Sequence, residues 1–293
     1  MSLWEGKSKG TTSGYRIFVW ILKNFGVLPG YFLLRFVSFY FYLFSYRSSR
    51  ELYAFYHHKI GYSRIKSFFS LYQNYYLLGQ SIIDKVVVMS GIKNKFTYHF
   101  DGEENLRKIA SLGKGGILLS AHIGNWDIAG HLLKRINTTI HIVIFDGEHE
   151  KIKAYLDGIT GAQAVKLIVI KNDLSHIYEI SEAFRKNELV CMHADRFLEG
   201  NKTLQADFLG QPARFPMGPF VLASTFKVPV SFVFALKESN FHYHFFASKI
   251  NDYSNLEKSV VLNQMLKEYA KEMEIKVKQY PGQWFNFYNF WKE

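Results

Sequence analysis

The sequence predicts an α/β fold, a mostly parallel mixed sheet flanked by helices, preceded by an N-terminal membrane-associating helical segment. From residue 116 onward, short apolar runs alternate with longer helical stretches, which is typical of a parallel sheet with helices on both faces. Before residue 96 the chain is basic, aromatic and helical in its periodicity. With 48% hydrophobic residues and only 6 prolines among 293 residues, global disorder is excluded.

Six runs are predicted as strands because each is short, apolar and bounded by polar or turn-forming residues. They are 117–120, 140–145, 167–170, 189–193, 230–236 and 241–248. We expect the last run to pair antiparallel with its predecessor, because only Glu238-Ser-Asn240 lies between them.

Helices are predicted where apolar residues recur at helical spacing. These stretches lie at about 51–95, 103–109, 125–136, 148–159, 174–187, 217–227 and 255–278. In the first of them, Ile65, Phe68, Phe69 and Tyr72 form an apolar stripe, and such a stripe belongs to a core more often than to a lipid-binding groove. The chain is therefore divided into a basic, aromatic, membrane-associating helical region, 1–95, and an α/β domain, 96–293.

Residues 27–45 are long and apolar enough to reach across a bilayer and contain one charge, Arg35. Burying that arginine centrally would cost about 2.5–3.5 kcal/mol, and Pro29-Gly30 interrupts the start. A spanning helix, a helix lying in the membrane interface and a helix packed on a soluble core are all compatible with the sequence. Residues 1–70 carry ten Lys and Arg against two Glu, which favours an anionic membrane surface.

The composition excludes several classes of protein and site. A single cysteine, Cys191, rules out an internal disulfide framework and multi-cysteine metal sites, and its place in a predicted strand indicates a core residue. No metal site is expected. The net charge of +11 also suits nucleic acid, but the charges flank apolar runs instead of forming a stripe, so no nucleic-acid partner is expected.

His122-Ile-Gly-Asn-Trp-Asp127 follows the predicted strand Gly116-Ile-Leu-Leu-Ser120 and is the main catalytic candidate. A neutral imidazole can remove the proton of an attacking hydroxyl, and a carboxylate can orient that imidazole. Asn125 is a candidate N-cap of the next helix, with Asp127 in its first turn. The H-x4-D spacing alone is weak, since a loop histidine bonded to a helix-capping acid has the same pattern.

Further blocks make the pattern more specific. Ser120-Ala-His-Ile-Gly-Asn-Trp-Asp127 is followed by Asp195-Arg196 with Gly200, then by Asp207-Phe-Leu-Gly-Gln-Pro-Ala213 and Met217-Gly-Pro-Phe-Val-Leu-Ala223. In order and spacing these blocks resemble the late lipid A acyltransferases, within the wider lysophospholipid and glycerol-phosphate acyltransferase superfamily. The resemblance covers about residues 115–235. Tyr280-Pro-Gly-Gln-Trp284 is similar to the Pro-x-Gln-Trp-x-Trp ending of that family.

The resemblance implies an acyltransferase that moves a fatty acyl group from acyl carrier protein, or from coenzyme A, to a hydroxyl of a lipid A precursor or related glycolipid. His122 would be the general base and Asp127 its orienting partner. Substrate-binding candidates are Asn125, Asp195, Arg196, Gly210 and Arg214. The expected location is the cytoplasmic face of a bacterial inner membrane, and no cofactor beyond the acyl co-substrate is expected.

The residues themselves leave some of these roles open. Gly210-Gln-Pro-Ala213 is predicted as a turn that lets backbone approach a ligand. Arg196 and Arg214 suit a phosphate or an oxyanion, and a structural salt bridge fits either of them equally well.

Two departures from the family pattern concern the acceptor. Asp146-Gly147 stands where the family has Arg-Pro, and the C-terminal block lacks the family's histidine and following basic residue. A different acceptor, such as a lysophospholipid, an amino-acid lipid or a polyene pigment, is therefore an alternative. A catalytically silent membrane scaffold is another. A hydrolase using Ser120 is disfavoured, because Ser120 lies outside a Gly-x-Ser-x-Gly turn.

Overall fold

In a computed structural model, the described residues are 12–128, 136, 138–145, 166–171, 173–198 and 200–291. Four helices and a π-helical turn come first. They are α1 (Thr12–Phe25), α2 (Val27–Phe44), α3 (Tyr46–Ala54), the π-helical turn (Phe55–Lys59) and α4 (Arg64–Met89). The later helices are α5 (Glu103–Ser111), α6 (Ser175–Arg185), α7 (Gly218–Phe226) and α8 (Lys258–Gln279). Ser63 begins α4 by accepting a hydrogen bond from the Lys66 backbone N–H, a standard N-cap.

Nine strands are described. They are β1 (Thr97–Asp101), β2 (Gly116–Ser120), β3 (Ile140–Phe145), β4 (Lys166–Ile170), β5 (Leu189–His193), β6 (Thr203–Phe208), β7 (Gln211–Pro216), β8 (Val230–Ser239) and β9 (His242–Ala247). Seven form a sheet in the order β1-β9-β8-β2-β5-β3-β4, and β6 pairs with β7 in a separate hairpin. Within the large sheet only β8 and β9 run antiparallel. The predicted mostly parallel mixed sheet, with its antiparallel final pair, is confirmed.

Two features were not predicted. The edge strand β1 is short and pairs with β9, far along the chain, so local periodicity gives little sign of it. The second is the β6–β7 hairpin, in which the predicted turn at Gly210-Gln-Pro-Ala213 lies earlier in the chain than expected. Leu209 and Gly210 make the turn with φ of +50° and +77°, and β7 starts at Gln211. Two successive positive φ values are what a two-residue hairpin turn requires.

Helices cover both faces of the sheet. On one face, Phe220 of α7 and Phe232 of β8 each pack on Tyr269 of α8 with ring centroids 5.7 Å apart. On the other, Leu106 and Ile109 of α5 share a buried cluster with strand residues, among them Leu118 and Cys191. The buried strand β2 is therefore apolar on both sides, which explains its uninterrupted run of apolar residues.

The N-terminal helices pack on the same sheet. Leu22 of α1, Leu34 of α2 and Val87 of α4 form one buried cluster with Tyr243 of β9. Gly79 makes the α2–α4 contact possible, because a Cβ there would lie 2.4 Å from Leu34 Cδ1. Regions 1–95 and 96–293 therefore share core residues, and a membrane-associating role for the first region stays a prediction.

A buried ion pair links α4 to the sheet. Lys237 Nζ of β8 lies 2.5 Å from Asp84 Oδ2, and both side chains are almost fully buried. The Asp84 carboxylate also accepts hydrogen bonds from the Tyr31 and Tyr243 hydroxyls. Lys237 further donates to the Asn240 carbonyl oxygen at 2.9 Å. One carboxylate thus ties together α2, α4, β8 and β9.

Some predictions fall outside the described residues. These are the helix at about 148–159, most of the helix at about 125–136, and the Asp146-Gly147 departure. Residues 126–128 are helical, as predicted for the start of that helix.

Candidate functional site

The loop that carries His122 leaves the end of β2 and is held by backbone hydrogen bonds. The Gly124 N–H donates to the Gln283 carbonyl oxygen at 2.9 Å, and the Asn125 N–H donates to the Ala235 carbonyl oxygen at 2.7 Å. The His122 carbonyl oxygen accepts from the Phe285 N–H at 3.0 Å. Gly124 has φ of +71°, and a Cβ there would lie 1.9 Å from the Ala235 oxygen. Only glycine fits this close approach, so the loop presents His122 on a rigid support.

Asp195 holds His122 from the end of the neighbouring strand. His122 Nδ1 lies 2.7 Å from Asp195 Oδ1, and the His122 backbone N–H donates to Asp195 Oδ2 at 3.0 Å. The register of β2 and β5 pairs Ser120 with His193, which brings Asp195 beside His122. An ionised Asp195 accepts the Nδ1 proton, so Nε2 is the basic nitrogen of the ring.

Asp127, the carboxylate predicted to orient His122, lies elsewhere. Its Oδ2 is 3.2 Å from Lys85 Nζ of α4. The structure places Asp195 at the ring nitrogen where the sequence predicted Asp127, because strand register, which local spacing does not encode, decides which carboxylate arrives there. Asp127 still acts on His122 through its charge, which offsets a small part of the lowering of the imidazole pKa by burial and by Arg196. A catalytic role for Asp127 stays a prediction.

Burial and charge favour a neutral His122. Burial, followed by the positive charge of Arg196, lowers the pKa of His122 below its usual value, and the charge of Asp195 opposes both. Burial on its own would raise the pKa of Asp195, but His122 and Arg196 more than offset it and lower that pKa. At neutral pH the site therefore combines an unprotonated imidazole with an ionised carboxylate, as a general base requires.

Arg196 directly follows Asp195 in the chain. Its guanidinium donates a hydrogen bond to the Phe285 carbonyl oxygen, next to the C-terminal Gln283-Trp284 segment. Burial lowers the pKa of Arg196, although an arginine still keeps its charge. The charge of Arg196 therefore acts on both His122 and Asp195, and its role at an oxyanion stays a prediction.

His193 is a site residue that the sequence did not single out. Its ring lies over that of His122, with centroids 4.1 Å apart, and against Trp126 at 4.9 Å. Both ring nitrogens are shielded from solvent and have no hydrogen-bond partner among the described residues. Burial, and then the charge of His122, lower its pKa well below the usual value. The available signal was its place at the end of β5, two residues before Asp195.

The other predicted binding residues are less central. Asn125 is buried, and its amide nitrogen donates to the Ser81 carbonyl at 2.8 Å and to the Tyr243 hydroxyl at 3.4 Å. Arg214 is an exposed residue of β7 whose guanidinium lies 5.7 Å from the centre of the Phe197 ring. Gly210 is the exposed turn of the β6–β7 hairpin. Substrate contacts by these three residues stay predictions.

An apolar cavity lies beside the histidines. Its lining includes Ser120, Trp126, Ile142, Cys191 and Val233. Cys191 and His193 face the same side of β5, so the cavity is next to His193. Burial raises the pKa of Cys191 to about 12, which makes the thiol a poor nucleophile and agrees with its predicted place in the core.

Two groups of side chains among the described residues come close enough to share a metal ion. One is His122, His193 and Asp195, and the other is His99, Asp101 and His244, on the β1–β9 edge of the sheet. The first coincides with the His122 site already described.

Comparisons with known proteins identify the family to which the sequence is similar. The model of the bacterial lipid A biosynthesis acyltransferase family matches residues 74–293. Two proteins named phosphatidylinositol mannoside acyltransferase, from two strains of Mycobacterium tuberculosis, are 29% and 28% identical to this chain over 123 residues. That stretch is 42% of this chain and 39% of each relative, so well under half of their length is matched.

The chain also has a likeness to a solved acyltransferase structure. The 1-acyl-sn-glycerophosphate acyltransferase PlsC from Thermotoga maritima aligns with 85% of this chain and 97% of its own, at 16% identity and a TM-score of 0.38.

Proposed function

This chain belongs to the bacterial lipid A biosynthesis acyltransferase family, and we propose that it transfers a fatty acyl group from acyl carrier protein to a hydroxyl of a lipid A precursor or related glycolipid. The observation that carries the proposal is the His122–Asp195 hydrogen bond at the end of β2, beside an apolar cavity. That arrangement supplies a base of fixed tautomer close to an apolar cavity lined in part by Ser120 and Trp126.

In the proposed reaction, His122 Nε2 takes the proton of the acceptor hydroxyl as its oxygen attacks the thioester carbonyl. A carbon–oxygen bond forms, and the carbonyl oxygen becomes an oxyanion. The Arg196 guanidinium is the nearby charge suited to stabilise it. Collapse of the intermediate breaks the carbon–sulfur bond, and the imidazolium returns the proton to the departing thiolate. The ester and the free thiol are the products.

His193 supports the same reaction. A buried ring with two unpartnered nitrogens, in contact with the ring of His122, can hydrogen-bond a substrate oxygen that enters the site. Because its pKa is lowered, the ring is neutral and can donate from one nitrogen. We assign His193 to positioning the acceptor hydroxyl or the thioester carbonyl.

Mass spectrometry of total lipids tests the function. A strain lacking the protein is complemented with wild type or with His122→Ala. We expect lipid A to lack one acyl chain in the deletion strain and to regain it only with wild type. If lipid A were unchanged and another acylated lipid were missing, the protein would be an acyltransferase that acts on a different acceptor. If no lipid changed in any strain, a catalytically inactive membrane scaffold would explain the results better.

A second acceptor class, a mannosylated or other phospholipid-linked glycolipid, is favoured by a specific observation. The matched relatives carry the name phosphatidylinositol mannoside acyltransferase, and the family's acceptor-side arginine and histidine positions are changed in this sequence. The same lipid profiles separate it from lipid A.

We also propose that the N-terminal helices lie in the cytoplasmic interface of the inner membrane without spanning it. The structure has one helix, α2, that is long and apolar enough to cross a bilayer among the described residues. α2 packs along α4, however: the Tyr72 hydroxyl donates to the Arg35 carbonyl at 3.3 Å, and the Tyr42 and Phe68 rings lie 5.3 Å apart. A helix held against the domain in this way suits insertion into one leaflet.

The residues that α2 leaves exposed support this proposal. They form one stripe, which we call the aromatic face: Leu28, Phe32, Phe36, Phe39 and Leu43, each more than half exposed. A large exposed apolar surface on one side of a helix marks a membrane or protein contact. The basic residues of the first 70 positions suit the anionic headgroups beside it, and a basic surface also suits the acidic acyl carrier protein.

Replacing Phe32, Phe36 and Phe39 together by serine should release the protein from anionic vesicles in a sedimentation assay. The matched control replaces Leu174 and Tyr178 of the α6 region, which are equally exposed, by serine. We expect at least a tenfold drop in vesicle affinity for the first variant and little change for the second. Equal binding by both variants would contradict the interfacial proposal. Resistance of the wild type to alkaline extraction would favour a spanning helix.

A further inference from the structure

We propose that His99, Asp101 and His244 form a binding site for a divalent transition-metal ion, with Zn²⁺ the best fit, on the outer edge of the sheet. The three residues lie on β1 and β9, outside the His122 site. None of them takes part in the proposed acyl transfer.

Strand pairing places the three side chains on one face. β1 and β9 run parallel, and His99 is directly opposite His244. Asp101 is two residues beyond His99, so it points to the same side of the sheet. His99 Nε2 lies 3.1 Å from Asp101 Oδ1, and His244 Nε2 lies 2.9 Å from Asp101 Oδ2. The ligand atoms of all three residues lie within 4.8 Å of one another.

These separations suit a tetrahedral ion. With bonds of about 2.0 Å to nitrogen and oxygen, ligand atoms around zinc are separated by about 3.3 Å. The two observed imidazole–carboxylate distances, 3.1 and 2.9 Å, are slightly shorter than that value, so a bound ion would move these ligand atoms apart by a few tenths of an ångström. Two imidazoles and one carboxylate favour zinc or another late transition metal over Ca²⁺ or Mg²⁺, which prefer oxygen ligands. Water can occupy the fourth position, because His99 and Asp101 are more than half exposed.

A second layer of hydrogen bonds prepares His244 as a ligand. Its Nδ1 lies 3.0 Å from Glu238 Oε1, and that oxygen also accepts from the Tyr280 hydroxyl at 2.8 Å. A carboxylate on Nδ1 keeps the proton on that nitrogen, so Nε2, which faces Asp101, is the nitrogen that can give up its proton and bind a metal. His242 is oriented differently, with its Nδ1 2.8 Å from the Thr97 hydroxyl oxygen.

Groups of both charges lie near the proposed zinc site. Asp101 and Glu238 supply two carboxylates, while the Lys276 ammonium interacts electrostatically with Asp101 and lies 3.3 Å from the centre of the Phe246 ring. Lys276 should therefore weaken binding of a cation without preventing it. A bound ion would fasten the edge strand β1 to β9 immediately before α5 begins at Glu103.

Zinc affinity measured by competition with a fluorescent chelator tests the site, using the full chain in detergent. We expect one Zn²⁺ per wild-type chain and at least a hundredfold weaker binding for His99→Gln, His244→Gln and Asp101→Asn. Glu238→Gln should weaken it about 10- to 100-fold, as is usual for the partner of a ligating histidine. His58→Gln, which changes an exposed histidine on the π-helical turn, is the matched control and should bind as wild type does.

Two further variants make the result decisive. Lys276→Gln should tighten zinc binding several-fold, because it removes a neighbouring positive charge. His122→Ala should leave zinc binding unchanged. Zinc lost in His122→Ala but kept in His244→Gln would place the ion at the acyl-transfer centre and overturn the proposal. Equal affinities for wild type and His244→Gln would overturn it as well.

Discussion

Asp195→Asn is expected to lower the rate of acyl transfer by about 10²–10⁴-fold while leaving the fold intact. The variant replaces the carboxylate that accepts from His122 Nδ1 at 2.7 Å, so the imidazole loses its fixed tautomer and the charge that stabilises its protonated form. The measurement is kcat with a purified acyl thioester donor and the acceptor found by lipid profiling, with circular dichroism to verify folding.

Asp127→Asn is the matched control, because it is the same chemical change five residues after His122. It leaves the His122–Asp195 hydrogen bond in place and removes the contact with Lys85 and a more distant charge. We expect a smaller loss of kcat than for Asp195→Asn. The reverse order would show that Asp127 orients His122 during turnover, as the sequence predicted.

The pH profile provides a second readout of the same site. His122 must be neutral to act as a base, so kcat/KM should fall as the pH drops through its pKa. Because burial and Arg196 lower that pKa, the acidic limb should lie below pH 6.5, the ordinary value for histidine. Arg196→Gln removes a charge that lowers this pKa, so its acidic limb should move to higher pH. Arg196→Lys keeps the charge and should leave the limb in place.

Lys237→Met should destabilise the folded protein by about 3–5 kcal/mol, the usual result of removing one partner of a buried ion pair. The change leaves the fully buried Asp84 carboxylate without its positive partner. Equilibrium unfolding in urea at constant detergent, followed by tryptophan fluorescence, measures the free energy of unfolding.

Two comparisons test whether burial causes the loss. Arg107→Met breaks the exposed Arg107–Glu103 pair on α5 and should cost less than about 1 kcal/mol. Combining Asp84→Asn with Lys237→Met removes both charges and should cost less than the sum of the single changes. A loss for Lys237→Met no larger than that for Arg107→Met would contradict a structural role of the pair.

The same ion pair shows how α2 is joined to the domain. Tyr31 of α2 donates to the Asp84 carboxylate, and Lys237 lies 2.9 Å from the same Tyr31 hydroxyl. Loss of the pair would therefore loosen α2 as well as the sheet. Under conditions that break this ion pair before the rest of the domain unfolds, we expect the aromatic face of α2 to lose its fixed orientation. The affinity of the protein for vesicles should then fall.

The sequence by itself determined six of the nine described strands, most described helices and the main catalytic candidate. β2, β3, β5, β8 and β9 are apolar runs whose length and composition differ from those of the helices, and such local signals depend only on neighbouring residues. His122 was identifiable because it directly follows one of these strands. The family blocks around it, spread over about residues 115–235, made the acyltransferase family recognisable without any structure.

Only the tertiary structure decided which residues surround His122 and which histidines meet at the sheet edge. Asp195 reaches His122 Nδ1 because β5 lies beside β2 in a particular register, and His99 faces His244 because β1 pairs with β9. Strands that are neighbours in the sheet can be far apart in the chain, and no local spacing records their register. The position of Asp127 beside Lys85 has the same origin, since α4 is brought to that loop by packing. Local periodicity thus specifies the elements, and the pairing of distant elements assembles the site.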